Sequence, residues 1–475
     1  MIDRRELLAT AANLGLLPNA VEKDYVLGWL LAGIFNHPAL AEHWVFKGGT
    51  CLKKCYFETY RFSEDLDFTL TDASHLDRDF LLTTFRDVAA WIYDQSGIEV
   101  PANNLHFEVF QNPRGGTAAQ GRVSYRGPIA PSGDLPRIKL DLTADEVLVL
   151  PPVDRPVSHP YSDAPEGGIL ARCYSYEEVF AEKIRALGER ARPRDLYDVI
   201  NLFRHDEFHP APAVIHDVLS KKCGFKGIAP PNVARLSELR EELEGDWAVM
   251  LTHQLPALPP VEAFWTELPA LFAWIEEGRQ PVIAAAYPLA PGDVVIRPAA
   301  GALLIPGMPS TAPIEVIRFA ASNRLCVELD YVDEQGRRGV RIIEPYSLRR
   351  TQAGEMVLHA VRADNQLHRS YRVDRIRGAN TTQRTFVPRY AVELTPTGPI
   401  SAPPTSQAPR IVTPRVSSGR RGSGRSGSGP VHVYECPLCS KRFERSKRDS
   451  SLRPHKDKNG WPCYGRHGIW VDTKW

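Results

Sequence analysis

Two aspartates separated by one residue, Asp65 and Asp67, stand inside an otherwise apolar stretch, "DLDFTL". The alternation of this stretch predicts a half-buried strand, and alternate residues of a strand point to the same face. Two carboxylates that project together repel each other unless a cation lies between them. Hard divalent ions prefer carboxylate oxygens and keep positions open for phosphate. We therefore interpret the pair as part of a site for Mg²⁺ or Mn²⁺.

The residues around this pair predict phosphate chemistry. A glycine turn precedes it, formed by Gly48, Gly49 and Thr50, and its backbone N–H groups can approach a phosphate closely because glycine has no Cβ. Ser63 shares the strand face of the two aspartates. A third carboxylate, Asp141, lies in the predicted strand "RIKLDLT". Three carboxylates on neighbouring strands favour two-metal phosphoryl transfer.

A long helical pattern, interrupted near Pro193, carries further charged candidates. Lys183 and Arg190 are two helical turns apart and share a face, and such positive charges suit nucleotide phosphates. Asp195 and Asp198 follow in "RDLYDV". Two interpretations of these acids stay open: Asp195 either takes part in catalysis or caps the next helix, and Asp198 either takes part in catalysis or pairs with an arginine.

Four basic residues beside these motifs have open roles. Lys47 and Arg61 flank the predicted site, where they contact the nucleotide, contact an acceptor RNA, or remain solvated. Lys53 and Lys54 lie between the glycine turn and the aspartates. They either hold RNA or simply solvate the predicted helix.

The motif blocks "FKGGTCLKK…RFSEDLDFTL" and "EEVFAEKIRALGERARPRDLYDV" resemble the AbiEii/AbiGii family over residues 1–280. These are nucleotidyltransferase toxins of type IV toxin–antitoxin and phage-abortive systems. The resemblance implies an α/β (α+β) nucleotidyltransferase fold with a helical C-terminal part. It also implies transfer of NMP from an NTP to an RNA, with the tRNA 3′ end favoured, or to a protein, and a separately encoded antitoxin partner.

The resemblance also assigns roles to residues. Thr50 stands where many members of the superfamily have serine, which keeps the hydroxyl. The implied catalytic residues are Asp65, Asp67, Asp141, Lys183, Asp195 and Asp198, and the implied nucleotide-binding residues are Lys47, Gly48, Gly49, Thr50, Ser63 and Arg190. Two other functions are weighed: a nucleic-acid-binding regulator on an inactive transferase scaffold, and a kinase-like or protein-modifying activity of the same fold.

Residues 314–395 have a different pattern, with one helix followed by short alternating strands and turn signals. This segment resembles a WYL domain, an SH3-like β fold of bacterial regulators, although Met356-Val357-Leu358 replaces the name-giving triplet. Arg369, Arg372 and Arg375 are predicted to bind nucleic acid, with Tyr331 and Tyr346 stacking on bases. The alternative is that the arginines pair with acids such as Asp374 and Glu344 on a solvated face.

Near the end of the chain, Cys436 and Cys439 form a C-x-x-C knuckle, and His455 and Cys463 follow. Three thiolates and one imidazole suit tetrahedral Zn²⁺, as in zinc fingers, and a segment this short needs a metal to fold. His467 is an alternative fourth ligand. The other interpretation is that these cysteines are incidental or reactive.

Phe443 and Leu452 are predicted to form the small core of this zinc-finger-like module. From residue 410 to residue 458 the chain carries 13 basic and 4 acidic residues, a local charge of 13 − 4 = +9, against +1 for the whole chain. A basic tether that leads to a basic module indicates contacts with DNA or RNA.

The bulk composition, with 43% hydrophobic residues over 475, is that of a soluble protein of about three domains. The N-terminus does not resemble a signal peptide and no apolar run is long enough to span a membrane, so we expect a cytoplasmic protein. Five scattered cysteines are interpreted as small buried apolar residues: Cys51, Cys55, Cys173, Cys223 and Cys326. The predicted parts are a nucleotidyltransferase core (1–205), a helical extension (206–285), a linker (286–313), a WYL-like domain (314–395), a disordered linker (396–431) and the zinc-finger-like module (432–475).

Overall fold

A computed structural model of the chain divides into two compact units, Met1–Thr405 and Ser406–Trp475. The predicted linker at 396–431 lies outside the described residues, apart from residue 431. The described residues are 1–14, 17–57, 61, 63–112, 114–129, 134–205, 210–252, 254–255, 257–278, 285–296, 312–394, 431–436, 439, 441–445, 450–453, 455–456, 462–463 and 469–474.

A mixed seven-stranded sheet lies at the centre of the described N-terminal part, with strand order β3-β4-β5-β2-β1-β7-β6. Strands β2 and β5 run parallel, whereas β1 and β2 run antiparallel. Burial alternates over the first four residues of β2, as the period-two pattern predicted, whereas its last three residues are all buried. The strands are β1 (Trp44–Lys47), β2 (Asp65–Leu70), β3 (His106–Gln111), β4 (Thr117–Ser124), β5 (Arg137–Thr143), β6 (Val153–Pro156) and β7 (Leu170–Cys173).

Helices cover this sheet and continue into a helical C-terminal part. The second and fifth helices pack on each other and on the sheet, and the sixth packs against the seventh and eighth. None of the described helices is long and apolar enough to cross a membrane. The helices are α1 (Arg4–Leu14), α2 (Pro18–Asn36), α3 (Pro38–Ala41), α4 (Gly48–Cys51), α5 (Arg78–Ser96), α6 (Tyr176–Arg190), α7 (Pro193–Phe203), α8 (Pro212–Lys226), α9 (Val233–Ser237), α10 (Arg240–Leu251), α11 (Glu262–Trp265) and α12 (Leu268–Glu277).

Short helical turns complete this part of the chain. A π-helical turn (Leu52–Tyr56) continues α4, and 3₁₀ turns span Ala73–His75 and Ala102–Asn104. Pro193 begins α7, where its missing N–H is not needed by the helix, and this explains the interruption of the long helical pattern.

A second, antiparallel sheet follows in the same compact unit, with α13 packed on it. Its short strand β8 comes from the predicted linker 286–313 and pairs with β10. Two carbonyls from that linker segment, those of Tyr287 and Pro288, accept hydrogen bonds from the fully buried Arg349. The elements are β8 (Val294–Val295), α13 (Ala312–Ser322), β9 (Leu325–Val332), β10 (Arg338–Arg350), β11 (Met356–Arg362), β12 (His368–Arg372), a 3₁₀ turn (Val373–Arg375) and β13 (Ile376–Thr385).

The described residues of the C-terminal unit form short strands and no helix. One three-stranded sheet has the order β15-β14-β18, and β16 pairs with β17. These strands are β14 (Val431–Glu435), β15 (Arg442–Arg445), β16 (His455–Lys456), β17 (Pro462–Cys463) and β18 (Ile469–Lys474).

Candidate active site and metal centre

Three carboxylates meet on one face of the central sheet, as the sequence predicted. Asp67 of β2 lies opposite Asp141 of β5 in the parallel register, and Asp65 lies two residues before Asp67 on the same strand. Burial raises the pKa of Asp65 and of Asp67 above the usual range, and the neighbouring charge of Asp141 acts in the same direction. The face therefore holds acids that a cation would stabilise in their charged form.

The glycine turn lies directly against this face. Gly48 has a left-handed φ of +82°, and a Cβ at this position would come within 2.2 Å of Asp67 Oδ2. A Cβ on Gly49 would come within 2.5 Å of an Arg61 guanidinium nitrogen. The backbone of the turn can approach the Asp67 carboxylate and the Arg61 guanidinium this closely only because residues 48 and 49 are both glycine.

Hydroxyl groups fix the turn to the strand that carries the aspartates. Thr50 Oγ1 lies 2.9 Å from Ser63 Oγ and donates to the backbone oxygen of Asp65 at 2.5 Å. Thr50 is fully buried, whereas Ser63 is partly exposed and lines the cavity. Thr50 therefore holds the turn in place, and Ser63 is the hydroxyl of the two that faces the site.

Asp141 has two polar neighbours that sequence reasoning missed. Lys139 Nζ donates to its Oδ2 at 2.8 Å, and Gln120 Nε2 donates to its Oδ1 at 3.1 Å. Lys139 is two residues before Asp141 in the alternating strand, so the period-two rule could have identified it. Gln120 belongs to β4, and only the pairing of β4 with β5 brings it to this carboxylate.

Asp198 is the centre of a buried ion-pair network. Its carboxylate is fully buried and accepts two hydrogen bonds from Arg61, both of 2.7 Å. It also forms an ion pair with Lys183 at 2.7 Å. Burial alone would raise the pKa of Asp198, but the charges and hydrogen bonds of Arg61 and Lys183 hold it well below its usual range. Of the two alternatives for Asp198, the structure therefore shows pairing with an arginine.

Asp195 holds a second basic residue. Arg190 donates two hydrogen bonds to its carboxylate, at 2.7 and 2.9 Å, and Lys183 Nζ lies 3.7 Å away. Asp195 is in the first turn of α7, but Arg192 occupies the N-cap position. Its side chain thus orients basic residues toward the site.

These groups line a polar cavity of about 340 Å³. Among the described residues, its lining contains eight basic and six acidic side chains and one aromatic side chain. Such a wall suits a highly charged ligand rather than an apolar one. The lining residues include Lys47, Gly48, Gly49, Arg61, Ser63, Asp65, Asp67, Lys139, Asp141, Glu146, Tyr174, Glu182, Lys183, Arg185, Arg190, Arg192, Arg194 and Asp195.

Arg192 and Arg194 are two cavity-lining arginines that the sequence analysis did not assign. Burial lowers the pKa of Arg194, and the nearby positive charges of Arg61, Arg190 and Arg192 lower it further, with Asp195 opposing them. Crowded cations of this kind attract an anion. The "RARPRD" sequence carried the signal, since it concentrates arginines at the start of α7.

The basic residues with open roles are not free surface charges. Lys47 Nζ lies 3.6 Å from Glu146, and Arg61 is buried against Asp198. Lys53 and Lys54 are buried and form ion pairs with Asp24 of α2, at 2.6 and 2.7 Å. Both interpretations of the lysine pair, RNA contact and solvation of a helix, are therefore wrong, because a buried carboxylate holds both ammonium groups.

The donor set on the carboxylate face fits a hard divalent cation. Asp65 and Asp67 carry four carboxylate oxygens, for which the described residues supply no hydrogen-bond or ion-pair partner. Mg²⁺ binds through one or two carboxylates and completes its shell with water and phosphate oxygens. Asp141 is less available than the pair because both of its oxygens already accept hydrogen bonds.

The C-terminal unit brings together the four predicted zinc ligands. The ligand atoms of Cys436, Cys439, His455 and Cys463 all lie within 4.8 Å of one another. His455 Nε2 faces Cys439 Sγ at 3.3 Å, while its Nδ1 lies 2.9 Å from the backbone oxygen of Arg453, which would fix the ring for metal binding.

The surroundings of this cluster agree with the sequence analysis. Leu452 is buried beside Cys436 and Cys463, and Phe443 packs on them, as predicted. The alternative ligand His467 lies outside the described residues. The four-residue cluster is compatible with a zinc module.

The arginines of the second sheet have acidic partners. Arg372 pairs with Asp374 and Glu355, and Arg375 Nη1 lies 3.4 Å from Glu334. Arg369 is exposed and bonds only the carbonyl of His368 among the described residues.

The tyrosines that were expected to stack on bases are not available for it. Tyr331 is 8% exposed and Tyr346 is 1% exposed. The hydroxyl of Tyr346 donates to Glu344, which is therefore not an arginine partner in this contact. Both rings belong to the core of the sheet, since alternate strand residues turn inward.

A comparison with family models identifies the class of protein as a nucleotidyltransferase. The model of the AbiEii family, described as nucleotidyl transferase toxins of type IV toxin–antitoxin systems, matches residues 29–274, and a WYL domain model matches residues 313–381. The chain belongs to the AbiEii family.

Solved structures similar to this chain include two bacterial proteins. MenT4, the nucleotidyltransferase toxin Rv2826c of Mycobacterium tuberculosis H37Rv, is 17% identical over 58% of this chain and 89% of its own, with a TM-score of 0.35. JHP933 from Helicobacter pylori is 19% identical over 55% of this chain and 93% of its own, with a TM-score of 0.34. No curated protein matches the chain.

We predict that Asp198→Asn destabilises the protein by about 3–5 kcal/mol, because it removes the buried carboxylate that forms the closest ion pairs of both Arg61 and Lys183. Chemical denaturation followed by circular dichroism measures this loss. The matched control is Asp217→Asn, which breaks an exposed pair with Lys221 and should change stability little. Equal losses in the two variants would contradict the central role of Asp198.

Proposed function

We propose that the protein transfers a nucleoside monophosphate from an NTP to an RNA, with the 3′ end of tRNA as the favoured acceptor, and that it acts as a toxin or anti-phage effector. The observation that carries this proposal is the carboxylate pair, Asp65 and Asp67, packed beside the glycine turn in a polar cavity whose lining has more basic than acidic side chains. A protein acceptor is the other outcome of the same chemistry.

In the proposed reaction, an acceptor hydroxyl oxygen attacks the α-phosphorus of the NTP, and the bond to the β-phosphate oxygen breaks. Pyrophosphate leaves, and the hydroxyl proton passes to a carboxylate of the face. Asp65, Asp67 and Asp141 would hold Mg²⁺ or Mn²⁺, which supplies charge neutralisation at the phosphate oxygens when bound. Backbone N–H groups at Gly48 and Gly49 bind phosphate oxygens.

The basic side chains bind the triphosphate and pyrophosphate. Lys183 is oriented by Asp198, and Arg190 is oriented by Asp195, so both present their charge with little loss of conformational entropy. Arg192 and Arg194 lie beside Arg190 at the start of α7. They form the phosphate-binding edge of the cavity, with Arg194 as its partly buried member.

The remaining modules bind metal and nucleic acid in this proposal. Cys436, Cys439, His455 and Cys463 hold Zn²⁺ and so fold the C-terminal module, whose basic tether attracts DNA or RNA. In the WYL domain, Arg369 is the arginine best placed to contact a phosphate, because Arg372 and Arg375 are already paired with acids. The activity takes place in the cytoplasm, with an antitoxin protein as a partner.

We predict that Asp65→Ala and Asp67→Ala lower nucleotide transfer by about 10²- to 10³-fold or more, since each removes a carboxylate from the reacting centre. Nucleotide transfer is measured as the label that passes from each α-³²P-labelled NTP to total tRNA in the presence of Mg²⁺. Asp217→Ala on the exposed face of α8 is the matched control and should retain full activity. Absence of transfer with every NTP, or equal transfer by all variants, would favour the non-catalytic scaffold.

We predict that Arg194→Ala raises the KM for NTP about 10- to 100-fold, the effect of losing one charged hydrogen bond. Arg194→Lys should recover part of this loss because it keeps the charge but not the two-pronged geometry. Arg86→Ala on the exposed side of α5 serves as the control. An unchanged KM for Arg194→Ala would exclude the start of α7 from triphosphate binding.

We predict that the purified full-length chain contains zinc and that Cys439→Ser lowers its zinc content. Elemental analysis together with X-ray absorption of the bound metal measures the content and the ligands. The zinc that Cys439→Ser removes is expected to have three sulfur ligands and one nitrogen ligand. Cys326→Ser, at a buried cysteine of the second sheet, should leave the zinc content unchanged. Equal zinc contents in the two variants would contradict the assigned site.

A further inference from the structure

Three of the cysteines that are scattered in the sequence converge in the fold. The thiol sulfur atoms of Cys51, Cys55 and Cys173 all lie within 4.8 Å of one another. All three residues are buried, with 0%, 5% and 0% of their surface exposed. Cys223 and Cys326 are buried elsewhere and do not join them. We call this group the cysteine triad.

Three elements next to the glycine turn bring the cysteine triad together. Cys51 ends α4, Cys55 lies four residues later in the π-helical turn, and Cys173 ends β7. Residues four apart on a helix project from the same side, which brings the first two thiols together. Phe46 of β1 is paired with Cys173 across the sheet, so the sheet places the third thiol against them.

The chemistry of three buried thiols favours a metal ion that prefers sulfur. Thiolates select soft and borderline metals over hard ones. Within the described residues, the cluster holds only three potential Cys, His, Asp or Glu ligands, and its burial leaves little room for water as a fourth ligand. A three-coordinate, all-sulfur site therefore suits a strongly thiophilic ion better than Mg²⁺ or Ca²⁺.

The charge balance favours a divalent ion. Three thiolates carry three negative charges, and a divalent ion leaves one of them uncompensated. Arg155 lies beside the triad: its Nε donates to the backbone oxygen of Cys55 at 3.2 Å, and its guanidinium stacks 4.4 Å from the centre of the Tyr56 ring. One arginine next to the site supplies the remaining positive charge, which an isolated buried anion would require.

We propose that Cys51, Cys55 and Cys173 form a structural binding site for a thiophilic divalent metal ion, separate from the carboxylate face and from the C-terminal cluster. The site ties α4 to β7. Cys51 directly follows Thr50, which holds the glycine turn, and Tyr174 directly follows Cys173 and lines the cavity. The ion therefore cross-links the segment that carries the glycine turn, α4, to the end of β7.

The test uses Cd²⁺ as the probe and the full-length chain with Cys436→Ser and Cys439→Ser, which removes the competing C-terminal cluster. After refolding with Cd²⁺ under reducing conditions, we expect one tightly bound ion per chain. X-ray absorption should give three sulfur neighbours and no nitrogen neighbour. Thermal unfolding should shift to higher temperature with Cd²⁺, since an ion that binds only the folded state stabilises it.

Further substitutions in that background assign the ligands. Cys173→Ala, and separately Cys51→Ser, should abolish Cd²⁺ binding, whereas Cys223→Ala, at a buried cysteine of α8, should retain it. Circular dichroism identifies any variant that fails to fold, and the two triad variants are independent of each other. The readout is metal content, so it does not depend on nucleotide transfer.

Two results would overturn the proposal. One is a natively folded background chain that binds no Cd²⁺ after refolding with it. The other is bound Cd²⁺ with no sulfur neighbours, or sulfur-bound Cd²⁺ that folded Cys173→Ala and Cys51→Ser variants retain. Either result would leave the cysteine triad as closely packed thiols of the core.

Discussion

A single buried charge, the carboxylate of Asp198, determines how the basic wall of the cavity is arranged. Arg61 comes from the segment before β2 and Lys183 from α6, and both would repel each other at this distance without an anion between them. Taking three charged groups out of water is costly unless each is well bonded. The bidentate geometry of Arg61 and the short contact of Lys183 offset that cost, and they fix α7 relative to the sheet.

The opposite wall of the cavity, on the central sheet, is balanced by ion pairs to a smaller extent. Asp65 and Asp67 lie close to each other and to Asp141, and the described residues supply Asp141 alone with polar side-chain partners. The protein therefore crowds positive charge at the start of α7 on its helical side and leaves negative charge on its sheet side. This asymmetry is suited to a ligand that brings both an anion for the arginines and a cation for the carboxylates, as a metal–nucleotide complex does.

Much of this arrangement could be read from local patterns. The alternation of "DLDFTL" and "RIKLDLT" placed the three carboxylates on one face, and helical spacing brought Lys183 and Arg190 to a common side. Tertiary contacts decided the rest. Asp24 on α2 removes Lys53 and Lys54 from the surface, and Gln120 reaches the site only through sheet pairing. Neither partner is near in sequence, so no periodicity could reveal it.

The contacts of Arg349 show that the domain of the second sheet begins before the segment that its family model matches. The WYL match begins at residue 313, yet the carbonyls that hold this buried guanidinium belong to Tyr287 and Pro288, and β8 adds to the same sheet. The described residues 285–296 are thus an integral part of the second module. A fragment that starts at the family boundary would expose the edge of β10 and remove two of the hydrogen-bond acceptors of a buried guanidinium. Excision of this domain for binding studies should therefore start before residue 285.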